Sequence, residues 1–265
     1  MLRKAFALAA LGLALVGRPA LAAEEGPALR TAEWSFSGPL GKFDQAQVQR
    51  GYKVYREVCS ACHSMNLMYF RNLGQKGGPF YDAKYPNPND NPYVKSLAKD
   101  IQVKDIDGDT GDVISRPAMP ADKFASPFPN EIAAAASNGG KAPPDLSVMA
   151  KAREGGPDYI YSLLTGYAAA PAGFELPAGK MYNTYFPGHT IGMPPPLADG
   201  RVTFDDGTKS TLDQEAKDVS VFLAWAADPK MEERKQFGLG AMIYLLLFSV
   251  LLWFSYKKIW KNVAH

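Results

Sequence analysis

The chain has 265 residues, 46% of them hydrophobic and 21% charged, with a formal net charge of +2. Six basic residues at its two ends (Arg3, Lys4, Arg18, Lys257, Lys258 and Lys261) account for more than that excess and leave the middle near −4. That balance argues against nucleic acid as a partner and in favour of a basic protein. The two cysteines allow at most one disulfide.

Residues 1–22 open on Arg3 and Lys4, continue through the apolar run Ala5 to Val16 and close on Ala20-Leu21-Ala22. A basic start, a short apolar run and a small-x-small end mark a secretory signal, and the run is too short to cross a bilayer. The mature chain is therefore expected to begin near Ala23, with an extracytoplasmic domain over 23–237.

Asp44 and Gln47 have the spacing of a capping box. Val48, Tyr52, Tyr55, Cys59 and Cys62 then recur every three or four residues, which predicts one helical face with both cysteines turned inward. This helix runs into Cys59-Ser-Ala-Cys62-His63, a C-x-x-C-H motif. Two thiols at this spacing can add across the two vinyl groups of a porphyrin while the adjacent imidazole reaches its iron. Zinc would need four ligands, and the remaining histidines, His189 and His265, are far apart and form no second pair. A thioredoxin-like couple needs a strand-to-helix turn that is not apparent here. A plain disulfide leaves His63 unexplained. The expected cofactor is one covalently bound haem c.

Further along, Tyr81 to Pro92 is rich in proline and asparagine and reads as surface loop. Lys104 to Asp112 carries Asp105, Asp107, Asp109 and Asp112 but lacks the closing glutamate of an EF-hand, so a solvated acidic loop is expected. Asn138-Gly-Gly and Pro143-Pro144-Asp145-Leu146 are turn-rich, as suits a loop wrapped around a flat cofactor. Arg153 precedes a helix expected from Pro157, with Tyr159, Ile160, Leu163 and Leu164 as its apolar face; a cation there can pair with a haem propionate.

Haem iron has a sixth position. Met65 and Met68 lie too close to His63 to reach the far face. Met193 sits in Gly192-Met-Pro-Pro-Pro-Leu197, where three prolines of fixed φ stiffen the loop. Met119, also followed by proline, and His189 are the alternatives. His/Met ligation raises the reduction potential and closes the iron to small ligands, which implies electron transfer and no enzymatic activity of the chain by itself. Thr211, with Gln214, caps a last soluble helix whose stripe is Leu212, Ala216, Val219, Leu223 and Ala226, stopped at Asp228-Pro229.

Gly238 to Tyr256 holds nineteen residues without a charge, the length of a membrane-spanning helix. Trp253, Tyr256 and Trp260 sit at interfacial positions, and the basic residues of 257–265 predict a cytoplasmic tail.

Taken together, these stretches resemble the cytochrome c1 family, the haem c subunits of cytochrome bc1 complexes. The resemblance is carried by CSACHSM at 59–65, PPDLS at 143–147, AREGGPDYIYSLLTGY at 152–167, YFPGHTIGMPPPL at 185–197 and AKDVSVFLAWAADP at 216–229. It implies that Met193 is the sixth ligand, that Arg153 and Tyr159 lie at the propionates, and that Asn138, Pro144 and Phe186 line the pocket. It further implies cytochrome b and Rieske iron–sulfur subunits as partners in a dimeric complex, and a basic cytochrome c received at an acidic surface that includes Asp105, Asp107, Asp109 and Asp112. Gly74 to Lys123 departs from the family pattern. The chain lacks the second cysteine pair of some bacterial members, so no disulfide braces its ligand loop. The expected fold is mainly α, a class I-like cytochrome c core with long irregular insertions and one C-terminal transmembrane helix. The expected location is the bacterial inner membrane, with the haem domain in the periplasm. Two other readings are a free-standing membrane-anchored c-type cytochrome serving an oxidase or reaction centre, and a haem enzyme or gas sensor with an open sixth site.

Overall fold

A computed structural model describes residues 27–262. The signal sequence expected over residues 1–22, and His265, lie outside the described residues.

The first helix forms where its cap dictates. The Asp44 carboxylate accepts hydrogen bonds from the N–H groups of Ala46 and Gln47 at 3.0 and 3.4 Å and starts α1, Gln45–Glu57. Gln47 does not complete the box; its side chain serves Asp218 instead. Val48, Tyr52 and Tyr55 are buried as the stripe requires, and Val54 is buried beside them. The helix does not continue through the cysteines. At Val58 the backbone turns to φ −119°, and Cys59–Ala61 form a single 3-10 turn. Cys59 is consequently half-buried and Cys62 exposed, so the expected inward stripe ends before the motif.

The core is built where α1 crosses α7, Leu212–Ala227. Gly51 makes the close approach possible: a Cβ there would meet the Asp218 carbonyl oxygen at 2.0 Å. Around this crossing Tyr52 and Tyr55 pack on Phe222 with ring centroids 5.7 and 5.6 Å apart, and Phe124 fills in beside both tyrosines. Thr211 caps α7 by accepting from Gln214 N at 3.1 Å, while the Gln214 side chain reaches on to Asp218. The predicted stripe of α7 is buried from Ala216 to Ala226, but so are Glu215, Asp218 and Ser220 on its other sides. The helix is enclosed almost all round because α1 covers Asp218, the helices Met149–Ala152 and Pro157–Thr165 pack beside it, and the loop through Val202 and Ser210 covers Glu215.

Shorter elements surround this pair: α2 (Phe70–Gly74), α3 (Pro92–Lys99), α4 (Glu131–Ser137), α5 (Met149–Ala152) and α6 (Pro157–Thr165). The proline- and asparagine-rich stretch is partly ordered, since Asn91 caps α3 and Pro92 opens it. The acidic segment is also not a simple loop. Strands β1 (Gln102–Ile106) and β2 (Val113–Pro117) form an antiparallel hairpin in which Ile106 faces Val113. The hairpin touches the core through half-buried Val103, while Ile106, Val113 and Ile114 stay exposed, so its sequence carries little of the apolar alternation that reveals a strand. A second, two-residue hairpin pairs β3 (Met181–Tyr182) with β4 (Thr190–Ile191).

The N-terminal segment straps α6 to the core. Asp158 accepts from Ala32 N and from the Trp34 indole N–H at 3.1 and 2.8 Å, and Ser162 Oγ accepts from Arg30 N. Gly155 and Gly156 take φ of +79° and +51° ahead of Pro157, a conformation that favours glycine.

The last helix, α8 (Met231–Trp260), is longer than the apolar stretch alone indicates. It is long and apolar enough to cross a membrane, with a mean hydropathy of 2.2 in its apolar window. Its first turns belong to the head. Met231 is buried, Glu232 accepts from Phe43 N at 2.9 Å, and the Lys235 ammonium donates to the carbonyls of Phe36 and Gly38 at 2.6 and 2.7 Å.

Candidate functional site

The turn after α1 presents both thiols unpaired, Cys59 half-buried and Cys62 open to solvent. Burial, with Cys62 beside it, pushes the Cys59 thiol up to about 12, so it stays a protonated thiol at neutral pH. His63 follows immediately. Its Nδ1 lies 2.8 Å from the Pro144 carbonyl oxygen. A carbonyl only accepts, so Nδ1 carries the proton and the Nε2 lone pair is left for a metal. Burial lowers the imidazole pKa and outweighs the opposite pull of Pro144 and Asp145, so the ring is neutral as a ligand must be. Two unpaired thiols beside an oriented neutral imidazole fit a haem c.

The loop that supplies Pro144 is itself fixed. The Asp145 carboxylate accepts from Ser64 Oγ, Asn66 N and Ser147 N at 2.7–2.8 Å. Burial works to raise this carboxyl, but the hydrogen bonds from Ser147, Asn66 and Ser64 prevail and hold it below the usual carboxylate range. Leu146 N also donates to Ser64 O. The segment after the motif and the Pro-Pro-Asp turn are thereby laced together. Asp145 was not singled out by the sequence reading, although an Asx turn after Pro-Pro was a usable signal.

Met193 is partly buried and packs on the same core as Cys59, Met149 and Tyr159. The Tyr167 hydroxyl donates to its carbonyl oxygen at 3.0 Å. Tyr167 lies just past α6 and is a second contributor that residue spacing alone did not reveal. The alternative ligands are placed differently. Met119 is 52% exposed at a surface hollow formed with Pro92, Lys95 and Lys99. His189 is held in the β3–β4 turn at φ +54°, stacked on Tyr182 with Nδ1 3.3 Å from Asn183 O. Met65 and Met68 are core residues.

Arg153 and Tyr159 are brought together. Burial raises the phenol pKa, against the charge and hydrogen bond of Arg153. Asn138 closes α4 by donating to Ala134 O at 2.7 Å, and the Phe186 carbonyl accepts from His189 N; neither shows a bond to the Cys59–His63 turn. Asp105, Asp107, Asp109 and Asp112 lie on the β1–β2 hairpin. Asp105 pairs with Arg116, and Asp107 caps the turn by accepting from the N–H groups of Asp109 and Thr110.

A helical head that carries an imidazole–dithiol turn, continued into a helix long and apolar enough to cross a membrane, defines the class as a membrane-anchored c-type cytochrome. The family profile described as "Cytochrome C1 family" matches residues 34–263, and the chain belongs to that family. It is 44% identical to cytochrome c1 of Rhodospirillum rubrum, the match covering 98% of this chain and 97% of that one. It is 40% identical to cytochrome c1 of Blastochloris viridis over 95% of this chain and 93% of that protein. Cytochrome b/c1 of Bradyrhizobium diazoefficiens is 46% identical over 87% of this chain, which spans 35% of that longer protein.

Proposed function

We propose that the chain is the haem c subunit of a quinol–cytochrome c oxidoreductase complex. It takes one electron at a time from a Rieske iron–sulfur protein and hands it to a soluble or tethered cytochrome c. Cys59 and Cys62 would hold the porphyrin as thioethers, and His63 Nε2 and Met193 Sδ would serve as the ligands of its iron. Bound there, haem c supplies the one-electron ferrous–ferric couple. Arg153, with Tyr159 beside it, balances propionate charge, and Asn138, Pro144 and Phe186 bound the pocket. Cytochrome b shares the membrane with α8, and the assembly is dimeric. The head lies in the periplasm, delivered by a signal at 1–22, and residues 257–265 lie in the cytoplasm.

The observation that carries this reading is the Pro144 carbonyl fixing His63 Nδ1–H, because it leaves one ring nitrogen free beside two thiols. Met119 and His189 each have another structural setting, which favours Met193. The test is acid–acetone extraction of the purified protein beside Cys59→Ser and Cys62→Ser. Pigment retained by the wild type and released from the double variant is expected; pigment stripped from the wild type overturns the covalent link. Copurification of cytochrome b and Rieske subunits in mild detergent tests the assembly, and a lone haem protein would mark a free-standing carrier instead.

A further inference from the structure

Glu215, in the first turn of α7, has no exposed surface. Its Oε1 accepts from the Val202 amide at 3.0 Å and from the Ser210 hydroxyl. Its Oε2 is buried without a hydrogen-bond partner among the described residues. A buried carboxylate with one bare oxygen is a poor way to stabilise a fold, since a well-packed apolar side chain commonly does as well or better. What this carboxylate does provide is a fixed point for the backbone that follows Met193.

That backbone needs one. From Pro194 to Ser210 the chain has no helix or strand, and its buried residues are Leu197, Val202 and Phe204. Asp206 pairs with Arg50 and Asp205 with Lys53, both at 2.7 Å, but the aspartates are exposed and such pairs are screened. The Tyr167 hydroxyl fixes only the start of the loop. Glu215 grips it nine residues on, at a buried amide, and again at Ser210, whose carbonyl in turn accepts from Gly200 N.

We propose that Glu215 is a positioning residue for the Met193 loop: by holding Val202 and Ser210 against α7 it keeps the Met193 thioether on the iron. The assignment rests on Met193 being the second axial ligand. Glu215→Gln retains an acceptor oxygen, whereas Glu215→Met keeps the volume and accepts nothing. The full-length holoprotein in detergent is compared for amide exchange over 196–211, for the far-red absorption band of thioether-ligated ferric haem, and for reduction potential.

Glu215→Met is expected to speed exchange at Val202 by roughly tenfold or more, weaken the band and lower the potential, with Glu215→Gln close to wild type. Unchanged exchange overturns the clamp. Faster exchange with band and potential intact overturns the positioning role. If Glu215→Met yields no folded holoprotein, Ser210→Ala takes its place, with a partial shift in the same three readouts expected and none overturning the proposal. Met193→Leu is run alongside. A band that survives it places the failure in the ligand assignment, while the exchange data report on the clamp separately.

Discussion

A proline carbonyl decides which ring nitrogen His63 leaves free, because accepting from Nδ1 selects one tautomer and one ring orientation. The proposed ligation by Met193 predicts that Met193→Leu lowers the reduction potential and lets the reduced protein bind carbon monoxide, read by redox titration and difference spectra; an inert variant with unaltered potential excludes Met193. Asp145 is a second residue whose contribution has a definite pH window. Its folded pKa is depressed, so its contribution is present above the ordinary carboxylate value of about 3.9 and is lost as pH falls through the lower folded value. Asp145→Ala is expected to cost about 2 kcal/mol in urea unfolding at pH 5–8, with the gap to wild type closing only below about pH 4. The turn that carries two thiols and an imidazole was legible in the sequence because its residues are neighbours in the chain. Asp145, Tyr167 and Glu215 were not, because each has a partner that lies far away in the chain: Ser64 for Asp145, Met193 for Tyr167 and Val202 for Glu215.

Among the elements, the pair α1 and α7 shows what local signals can and cannot specify. Asp44 and Thr211 begin these helices where capping chemistry predicts, and Asp228-Pro229 ends the second. In each case only half of the capping box forms, since Gln47 and Gln214 both turn to buried Asp218, a charge that Arg50 holds at 2.7 Å. The crossing point at Gly51 carries its own prediction. Gly51→Ala drives a methyl into the Asp218 carbonyl and should lower unfolding stability by about 1–3 kcal/mol in denaturant titrations. The β1–β2 hairpin escaped the sequence reading because Val103 reaches the core while Ile106, Val113 and Ile114 stay exposed; its aspartates are consumed partly by Arg116 and by the turn. The start of α8 escaped it for a different reason: Glu232 and Lys235 look like solvent-facing charges until their backbone partners at Phe43, Phe36 and Gly38 are known. Lys235→Ala is expected to raise amide exchange across 36–43 while leaving the haem spectrum unaltered.

At the scale of the molecule, the mainly helical head and its single apolar anchor were both evident from composition and periodicity, whereas the seam between them was not. The proposed transfer from an acidic head to a basic cytochrome c should lose rate as salt rises, through weaker steering. Replacing Asp107, Asp109 and Asp112 with asparagine is expected to flatten that dependence in stopped-flow reduction of the acceptor; an unaltered slope moves the docking surface away from the hairpin. The seam itself sets a geometric constant. A helix of 30 residues is about 45 Å long, of which the charge-free 238–256 stretch takes about 28 Å. The seven residues before it act as a spindle about 10 Å tall, gripped at its upper end by the head. Altitude and compass bearing of the redox centre are therefore locked together: adding one residue to the spindle lifts the centre by about 1.5 Å and swings it by about 100° around the bilayer normal. Neighbouring subunits built for one heading would then face the wrong side of the cytochrome.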